Sequence, residues 1–171
     1  MILTPHPETP SGAVARIDVA VERAQYSLRI RYAATGDVAR LSTAPPSNAA
    51  RADELWRTTC FEAFIRPENG EGYRELNLAP STQWAAYSFT SYRTGMANTD
   101  DLGPPHIETR RGEGSFELIA SIPHRLPPGP WRVALSAIIE ETFGAKSYWA
   151  LAHPPGKPDF HHPDGFVCEL P

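Results

Sequence analysis

The sequence lacks the features that mark several common functional classes. It has no cluster of basic residues and a formal net charge of −4, so neither nucleic acid nor an anionic membrane surface is expected as a partner. No apolar run approaches the roughly 18–20 residues of a membrane-spanning helix. A glycine-rich phosphate loop and a nucleophile elbow are also missing, so the usual motifs of nucleotide-binding proteins and serine hydrolases are absent.

Cysteine is scarce too, with Cys60 and Cys168 as the only two. The first residues, MILTPHPETPSG, contain neither the basic segment nor the apolar segment of a signal peptide. The sequence therefore predicts a cytoplasmic protein, in which the two cysteines are expected to be buried thiols and not a disulfide.

Proline, in contrast, is abundant. The chain has 18 prolines in 171 residues, about twice the usual share, and they cluster between apolar runs. This distribution is typical of short strands joined by rigid loops and argues against long helices. A chain of this length is expected to form a single domain, spanning 1–171.

Apolar and polar residues alternate with a period of two along much of the chain, as they do in half-buried strands. Residues 1–13 are expected to be irregular. The segments that the pattern predicts as strands are 15–22, 25–33, 38–41, 56–66, 73–79, 84–92, 107–111, 115–122, 131–142, 147–152 and 166–170. They indicate an all-β fold of about nine to eleven strands, arranged as an antiparallel two-sheet β-sandwich of jelly-roll or immunoglobulin type.

The most informative stretch is 55–80, LWRTTCFEAFIRPENGEGYRELNLAP, which is predicted to be a hairpin. Within its first strand Glu62 shares a face with apolar neighbours, so its carboxylate is expected to be at least half buried. Asn77 lies in the middle of the second strand. Buried polar groups of this kind need hydrogen-bond partners, which either the protein or a polar ligand can supply.

A first candidate site combines aromatic and polar side chains around this hairpin. Aromatic rings can stack on the C–H face of a sugar, while carboxylate, guanidinium and amide groups bond its hydroxyls. The residues predicted to bind a ligand in this way are Trp56, Arg57, Glu62, Asn77, Trp84 and Tyr87. The alternative interpretation is a core of Trp and Tyr in which a buried Glu–Arg or Glu–Asn pair fixes the strand register.

A second candidate lies in the loop 153–165, which is rich in histidine, aspartate and proline. One hypothesis is that this loop folds over the end of the sandwich and contributes side chains to the ligand pocket. The loop residues proposed for that role are His153, Lys157, Asp159 and His161. Alternatively, these residues cap turns through local hydrogen bonds. A Zn or Fe site is a third option, but the spacing matches no strong metal motif, so no metal site is predicted.

Support for catalysis or a cofactor is weak. Glu62 and Glu75 could form the acid pair of a glycosidase, but a buried structural carboxylate is the favoured interpretation. Met96 with His106 or His153 could in principle ligate haem. The sequence predicts a protein that is not an enzyme and has no cofactor.

Several motifs resemble the bacterial DOMON-like proteins, which are relatives of family-9 carbohydrate-binding modules and of haem-binding DOMON domains. The motifs are LWRTTCFEAFI, YRELNLAP, WAAYSFTSYRTGM and SYWALAHPPGKPDFHHPDGF, within roughly 15–170. The resemblance implies an antiparallel β-sandwich with a site for sugar or haem. In the carbohydrate-binding relatives aromatic residues clamp a sugar, and the positions that match here are Trp56, Glu62, Asn77 and Trp84.

Three hypotheses about function follow from the sequence. The first is a non-catalytic domain that binds a small molecule, a carbohydrate or similar polyol. The second is a haem- or metal-binding redox module. The third is a structural or interaction domain without a small ligand.

Overall fold

The computed structural model describes residues 1–171 and contains twelve β-strands, three short 3₁₀ helices and no α-helix. The strands are β1 Ile2–Pro5, β2 Val14–Arg23, β3 Ser27–Gly36, β4 Cys60–Pro67, β5 Tyr73–Leu78, β6 Trp84–Phe89, β7 Ala97–Asn98, β8 His106–Gly112, β9 Ser115–Pro123, β10 Trp131–Glu140, β11 Lys146–Ala150 and β12 Cys168–Leu170. The 3₁₀ helices are Val38–Arg40, Leu55–Arg57 and Pro163–Gly165. The all-β prediction is confirmed.

The strands form one continuous antiparallel sheet, in the order β7-β6-β5-β4-β10-β11-β1-β2-β3-β9-β8. Strands β12 and β11 pair with the same edge of β10, β12 along Trp131–Val133 and β11 along Ser136–Glu140. The sequence predicted two separate sheets. The structure has a single curled sheet instead, because β1 pairs with both β2 and β11 and joins the two halves.

The sheet curls far enough for distant strands to pack against each other. Four strands separate β3 from β4 in the sheet, yet the rings of Tyr32 and Phe61 lie 5.0 Å apart. The Tyr32 hydroxyl also donates a hydrogen bond to the backbone oxygen of Glu62, at 2.6 Å. The main hydrophobic core fills the space between these two halves of the sheet.

The central strands β4, β5 and β6 are covered on both faces. One face, which includes Phe61, Ala63 and Leu76, belongs to the main core. The other face carries a second, smaller apolar cluster that includes Phe64 and Tyr73. Burial on both sides explains why these strands alternate poorly between apolar and polar residues, and it places polar groups of the second face in a confined environment.

Three local predictions need correction. Residues 1–13 are not wholly irregular, since β1 lies within them. The segment 38–41 forms a 3₁₀ helix over Val38–Arg40, closed by a hydrogen bond from Leu41 N–H to the Val38 oxygen, and not a strand. The strand predicted over 56–66 begins only at Cys60, because Glu54 adopts a left-handed conformation (φ 61°) and the chain then turns through Leu55–Arg57.

Candidate functional site

A cleft of about 470 Å³ lies over the second face of the central strands. Its floor is formed by side chains from β4, β5, β6, β10 and β11. Its walls come from the 3₁₀ helix before β4, the connection between β6 and β7, and the loop 153–165. The lining residues are Trp56, Glu62, Glu75, Tyr87, Phe89, Arg93, Met96, Ile138, Tyr148, Pro158, Phe160 and His161.

Two carboxyl groups lie on the floor. Glu62 on β4 pairs with Asn77 on β5, and Glu75 is two residues before Asn77, so the two acids are diagonal neighbours on one face. Both are deeply buried, with 3% and 6% of their surface exposed. The expectation that Glu62 is at least half buried is therefore confirmed.

Each acid has little hydrogen bonding from the protein. Glu62 Oε2 accepts one bond from the Ser136 hydroxyl at 3.3 Å, and Glu75 Oε1 accepts one from Asn77 Nδ2 at 2.8 Å. No side-chain or backbone donor of the chain hydrogen-bonds to Glu62 Oε1. Glu75 Oε2 has only the His161 Nε2 atom nearby, at 3.8 Å, which is too long for a hydrogen bond.

Burial raises the pKa of both acids. The pKa of Glu62 lies well above its ordinary value because the side chain is desolvated and because Glu75 is close. Desolvation likewise raises the pKa of Glu75, although the bond from Asn77 and the nearby Arg93 charge work in the opposite direction. The floor is thus a pair of carboxyl groups that resist simultaneous ionisation.

His161 is neutral at pH 7, since burial and the Arg93 charge lower its pKa to about 4. Tyr73 fixes its orientation: the Tyr73 oxygen accepts a bond from Arg93 N–H at 3.2 Å and lies 2.8 Å from His161 Nδ1. With the Arg93 N–H as its donor partner, the Tyr73 hydroxyl can use its own proton for Nδ1; in that arrangement the proton of the neutral ring is on Nε2, the nitrogen nearer Glu75. The contact between His161 and Glu75 is not an ion pair in this state.

Asp159 holds the wall of the cleft together. Its carboxylate accepts bonds from the Tyr92 hydroxyl, from Arg93 Nη2 at 2.8 Å and from His161 N–H at 3.1 Å. Tyr92 and Arg93 belong to the β6–β7 connection, so this network fastens the loop 153–165 to that connection. Arg93 and Asp159 form an ion pair in this wall, and the Arg93 charge still acts on Glu75 and His161.

The opposite wall is aromatic and open. Trp56 remains 49% exposed, and it reaches the cleft because the 3₁₀ helix displaces it from the path of β4. Met96 lies on the same rim and is 58% exposed. Tyr87 lies on the floor, where its hydroxyl donates to Asp53 at 2.6 Å and both burial and this bond raise its pKa.

The structure thus brings together four of the residues predicted from the sequence as ligand contacts, namely Trp56, Glu62, Tyr87 and His161. Two others support the cleft from behind. Asn77 is buried beside Glu75, and Asp159 organises the wall.

The other four predicted residues lie outside the cleft. Trp84 packs in the main core on the opposite face, under the guanidinium of Arg51. Arg57 points to solvent and pairs with Glu54 at 2.7 Å. His153 packs edge-on against His6 and bonds the Thr4 oxygen, behind the ring of Phe160 and outside the cleft lining. Lys157 is exposed and does not line the cleft.

Residues that the sequence analysis did not assign to the site complete the lining. They are Glu75, Phe89, Arg93, Met96, Ile138, Tyr148, Pro158 and Phe160. For Glu75 and Phe89 the strand alternation was a usable signal, because they share faces with Asn77 and Tyr87 respectively. Arg93 and Met96 carry no such signal, since their position depends on the turn at Ser91–Thr94 and on the left-handed Gly95.

Groups of three or more His, Cys, Asp or Glu side chains with the geometry of a metal site do not occur in the structure. His106 and His153 do not line the cleft beside Met96, so neither forms the Met/His pair considered for haem. Cys60 and Cys168 are both free and buried, as expected. The chain also has no helix with the length and apolar character needed to cross a bilayer.

Comparison with known proteins supports the fold. No protein-family model and no curated protein matches the sequence. Among solved structures, a candidate carbohydrate-binding protein from Bacteroides uniformis ATCC 8492 superposes with a TM-score of 0.66 and 13% identity, over 96% of this chain and 83% of that one. A family-9 carbohydrate-binding module from Caldicellulosiruptor kristjanssonii, in complex with glucose, superposes with a TM-score of 0.51 and 8% identity, over 87% of this chain and 72% of that one.

At these identities the likeness shows a common fold. The chain therefore has a fold that occurs in carbohydrate-binding proteins, including a family-9 module. Its membership of the DOMON-like group stays a prediction from the sequence motifs.

Proposed function

We propose that this protein is a non-catalytic binding domain whose ligand is a carbohydrate or similar polyol, held in the cleft over β4, β5 and β6. The observation that carries the proposal is the combination of an exposed indole on one wall with buried hydrogen-bonding groups on the floor. A sugar ring presents both an apolar C–H face and a rim of hydroxyls, so it needs both kinds of surface.

The aromatic side chains supply the apolar surface. Trp56 forms one wall, while Tyr87, Phe89 and Tyr148 lie on the floor and Phe160 closes the other side. A ring placed against Trp56 buries its C–H face on the indole, and its hydroxyls then point to the floor. The free oxygens of Glu62 and Glu75 accept bonds from hydroxyls at that depth.

The shared fold is a second line of support. One structure with this fold contains glucose, and another is a candidate carbohydrate-binding protein. The preformed wall, fastened by Asp159, also favours binding because little of the protein needs to be ordered when a ligand enters.

Isothermal titration calorimetry with a panel of neutral and charged mono- and disaccharides tests the proposal. We expect binding by the wild-type protein and its loss in Trp56→Ala. Trp84→Phe is the matched control, since this indole lies in the core on the other face of the sheet, and it should retain binding. A panel that gives no heat with the folded wild-type protein would refute the proposal.

A further inference from the structure

The floor of the cleft holds two buried carboxyl groups, each with one oxygen that accepts no hydrogen bond from the protein. Glu62 is nine-tenths buried or more, and its Oε1 atom, which lies at the cleft, accepts no hydrogen bond from the chain. Glu75 is in a similar state, with one oxygen bonded by Asn77 and the other facing the cleft. Buried carboxyl groups are normally paired with a cation or fully hydrogen-bonded.

Neither acid forms an ion pair with a lysine or arginine of the chain. On β10 the neighbour of Glu62 is the Ser136 hydroxyl, and from β3 the Tyr32 hydroxyl bonds only the backbone oxygen of Glu62. The adjacent thiol of Cys60 is buried, and burial raises its pKa. None of these groups carries a positive charge.

The groups that face Glu75 give the same result. Tyr87 from β6 is neutral and donates a hydrogen bond to Asp53, a further acid behind the floor. From the two loops come His161, which is neutral, and Arg93. The Arg93 charge acts on Glu75 at a distance, but its guanidinium is paired with Asp159 and makes no hydrogen bond to Glu75. Arg57, which lies outside the cleft beside the Trp56 ring, is paired with Glu54.

Aromatic rings surround this acidic floor. An ammonium group is attracted both by carboxylates and by the faces of Trp and Tyr rings, and the attraction to the rings grows when water is excluded. A divalent metal would need more oxygen ligands than two carboxyl groups provide, and no metal-site geometry occurs here.

We infer that the preferred ligand of this cleft carries a protonated amine, so that within the proposed carbohydrate function the substrate class is an amino sugar with a free amine. The ammonium lies between Glu62 and Glu75 and donates a charge-assisted hydrogen bond to each unbonded oxygen. The sugar ring rests against Trp56. This inference rests on the proposed function, and it narrows the ligand from polyols in general to cationic ones.

Binding of such a ligand is coupled to protons. In the free protein, burial and mutual repulsion keep the two acids partly protonated above the ordinary carboxyl range. The ammonium favours their ionised forms, so the complex releases protons to the solvent. Affinity for the amine therefore rises with pH while the acids of the free protein titrate, and affinity for a neutral sugar does not rise in this way.

The test compares glucosamine, glucose and N-acetylglucosamine by calorimetry at pH 7, because the three differ at one position. We expect glucosamine to bind about tenfold more tightly than the other two. Titrations in two buffers of different ionisation enthalpy should show proton release for glucosamine alone. Equal affinity for all three sugars would overturn the inference and leave the proposed function intact, whereas no binding by any of them would overturn both.

Variants of the two acids test whether they cause the preference for glucosamine. Glu62→Gln and, as an independent second variant, Glu75→Gln should each reduce the preference for glucosamine over glucose to about twofold or less. Glu113→Gln, in the exposed turn between β8 and β9, is the charge-matched control and should keep the full preference. Circular dichroism identifies any variant that does not fold, and the wild-type comparison stands without it. A preference that survives in both folded floor variants would contradict the inference.

Discussion

The two faces of strands β4 and β5 differ in the residues they carry, although both faces are buried. The face toward the main core is largely apolar, with Phe61, Ala63 and Leu76 all fully buried. Its one charged residue, Arg74, pairs with Asp101. The cleft face is nearly as buried, but it carries Glu62 and Glu75 among its apolar neighbours. Burial alone therefore does not distinguish a core from a site. The distinguishing feature is a buried polar group with unused hydrogen-bonding capacity.

The largest effect on stability is expected on the core face. Phe61→Ala removes a ring that packs against Tyr32 and stacks on Phe116, with centroids 5.0 and 6.0 Å away. We expect the free energy of unfolding to fall by about 3–5 kcal/mol, because a cavity opens between the two halves of the sheet. Chemical denaturation measures this loss. A loss below about 1 kcal/mol would mean that this face is not the main core.

A smaller loss is expected on the cleft face from Tyr73→Phe. The change removes the hydroxyl that accepts from Arg93 N–H and donates to His161 Nδ1. The expected cost is about 1–2 kcal/mol, together with faster hydrogen exchange in the loop 153–165. Tyr148→Phe is the matched control, since its hydroxyl makes no hydrogen bond within the chain. Equal effects of the two substitutions would show that the hydroxyl network does not hold the loop.

The cleft face should also make the stability of the protein depend on pH, because it carries the buried acid Glu62. The folded-state pKa of Glu62 is raised, so the folded protein holds more protons than the unfolded chain once the pH exceeds the ordinary carboxyl value of about 4.3. The contribution of Glu62 to stability is thus fully present below that pH and is lost as the pH rises through the folded-state pKa.

Glu62→Gln should abolish this loss. Relative to the wild type, the variant is expected to become steadily more stable from about pH 4.3 upward. The contribution of His161 to the free energy of unfolding changes in the opposite direction, because it grows as the pH rises from the pKa of His161, about 4, toward the ordinary value. His161 is present in both proteins, so this contribution cancels when the two are compared. Denaturation curves at several pH values measure the difference, and a difference that stays constant with pH would contradict the assigned pKa shift.

The smallest effect is expected from Arg57→Ala. The sequence predicted Arg57 as a ligand contact, whereas the structure directs it to solvent, where it pairs with Glu54. We expect stability to change by less than about 0.5 kcal/mol and sugar affinity to stay unchanged. Calorimetry beside the Trp56→Ala variant checks this, and a loss of affinity comparable to that of Trp56→Ala would restore Arg57 to the site.

Sequence patterns predicted most of the strands because alternation and proline-rich turns are local signals. The hairpin of β4 and β5 lies where expected, and so do β9 and β10. The junction through β1 was missed, because its four residues alternate too briefly to indicate a strand and owe their conformation to pairing with β2 and β11. The change from two sheets to one curled sheet follows from that single element.

Only part of the cleft lining was predicted, for a similar reason. Glu62 was identifiable because a carboxylate among apolar neighbours in a strand is chemically unusual. Trp84 was predicted to lie in the same site as Trp56 but packs in the main core on the other face of the sheet. Composition does not reveal which face of the sheet a tryptophan occupies. Arg93 and Phe160 reach the cleft through loop conformations held by Asp159, which no local pattern encodes.

We expect the ligand to bind on the cleft face and nowhere else, and the four tryptophans offer a direct test of this expectation. Only Trp56 lines the cleft, whereas Trp84, Trp131 and Trp149 belong to the main core. In a ¹H–¹⁵N NMR titration with glucosamine or glucose, we expect a progressive shift of the Trp56 indole N–H signal while the other three indole signals stay in place. A shift of the Trp84 signal with the Trp56 signal unchanged would contradict it.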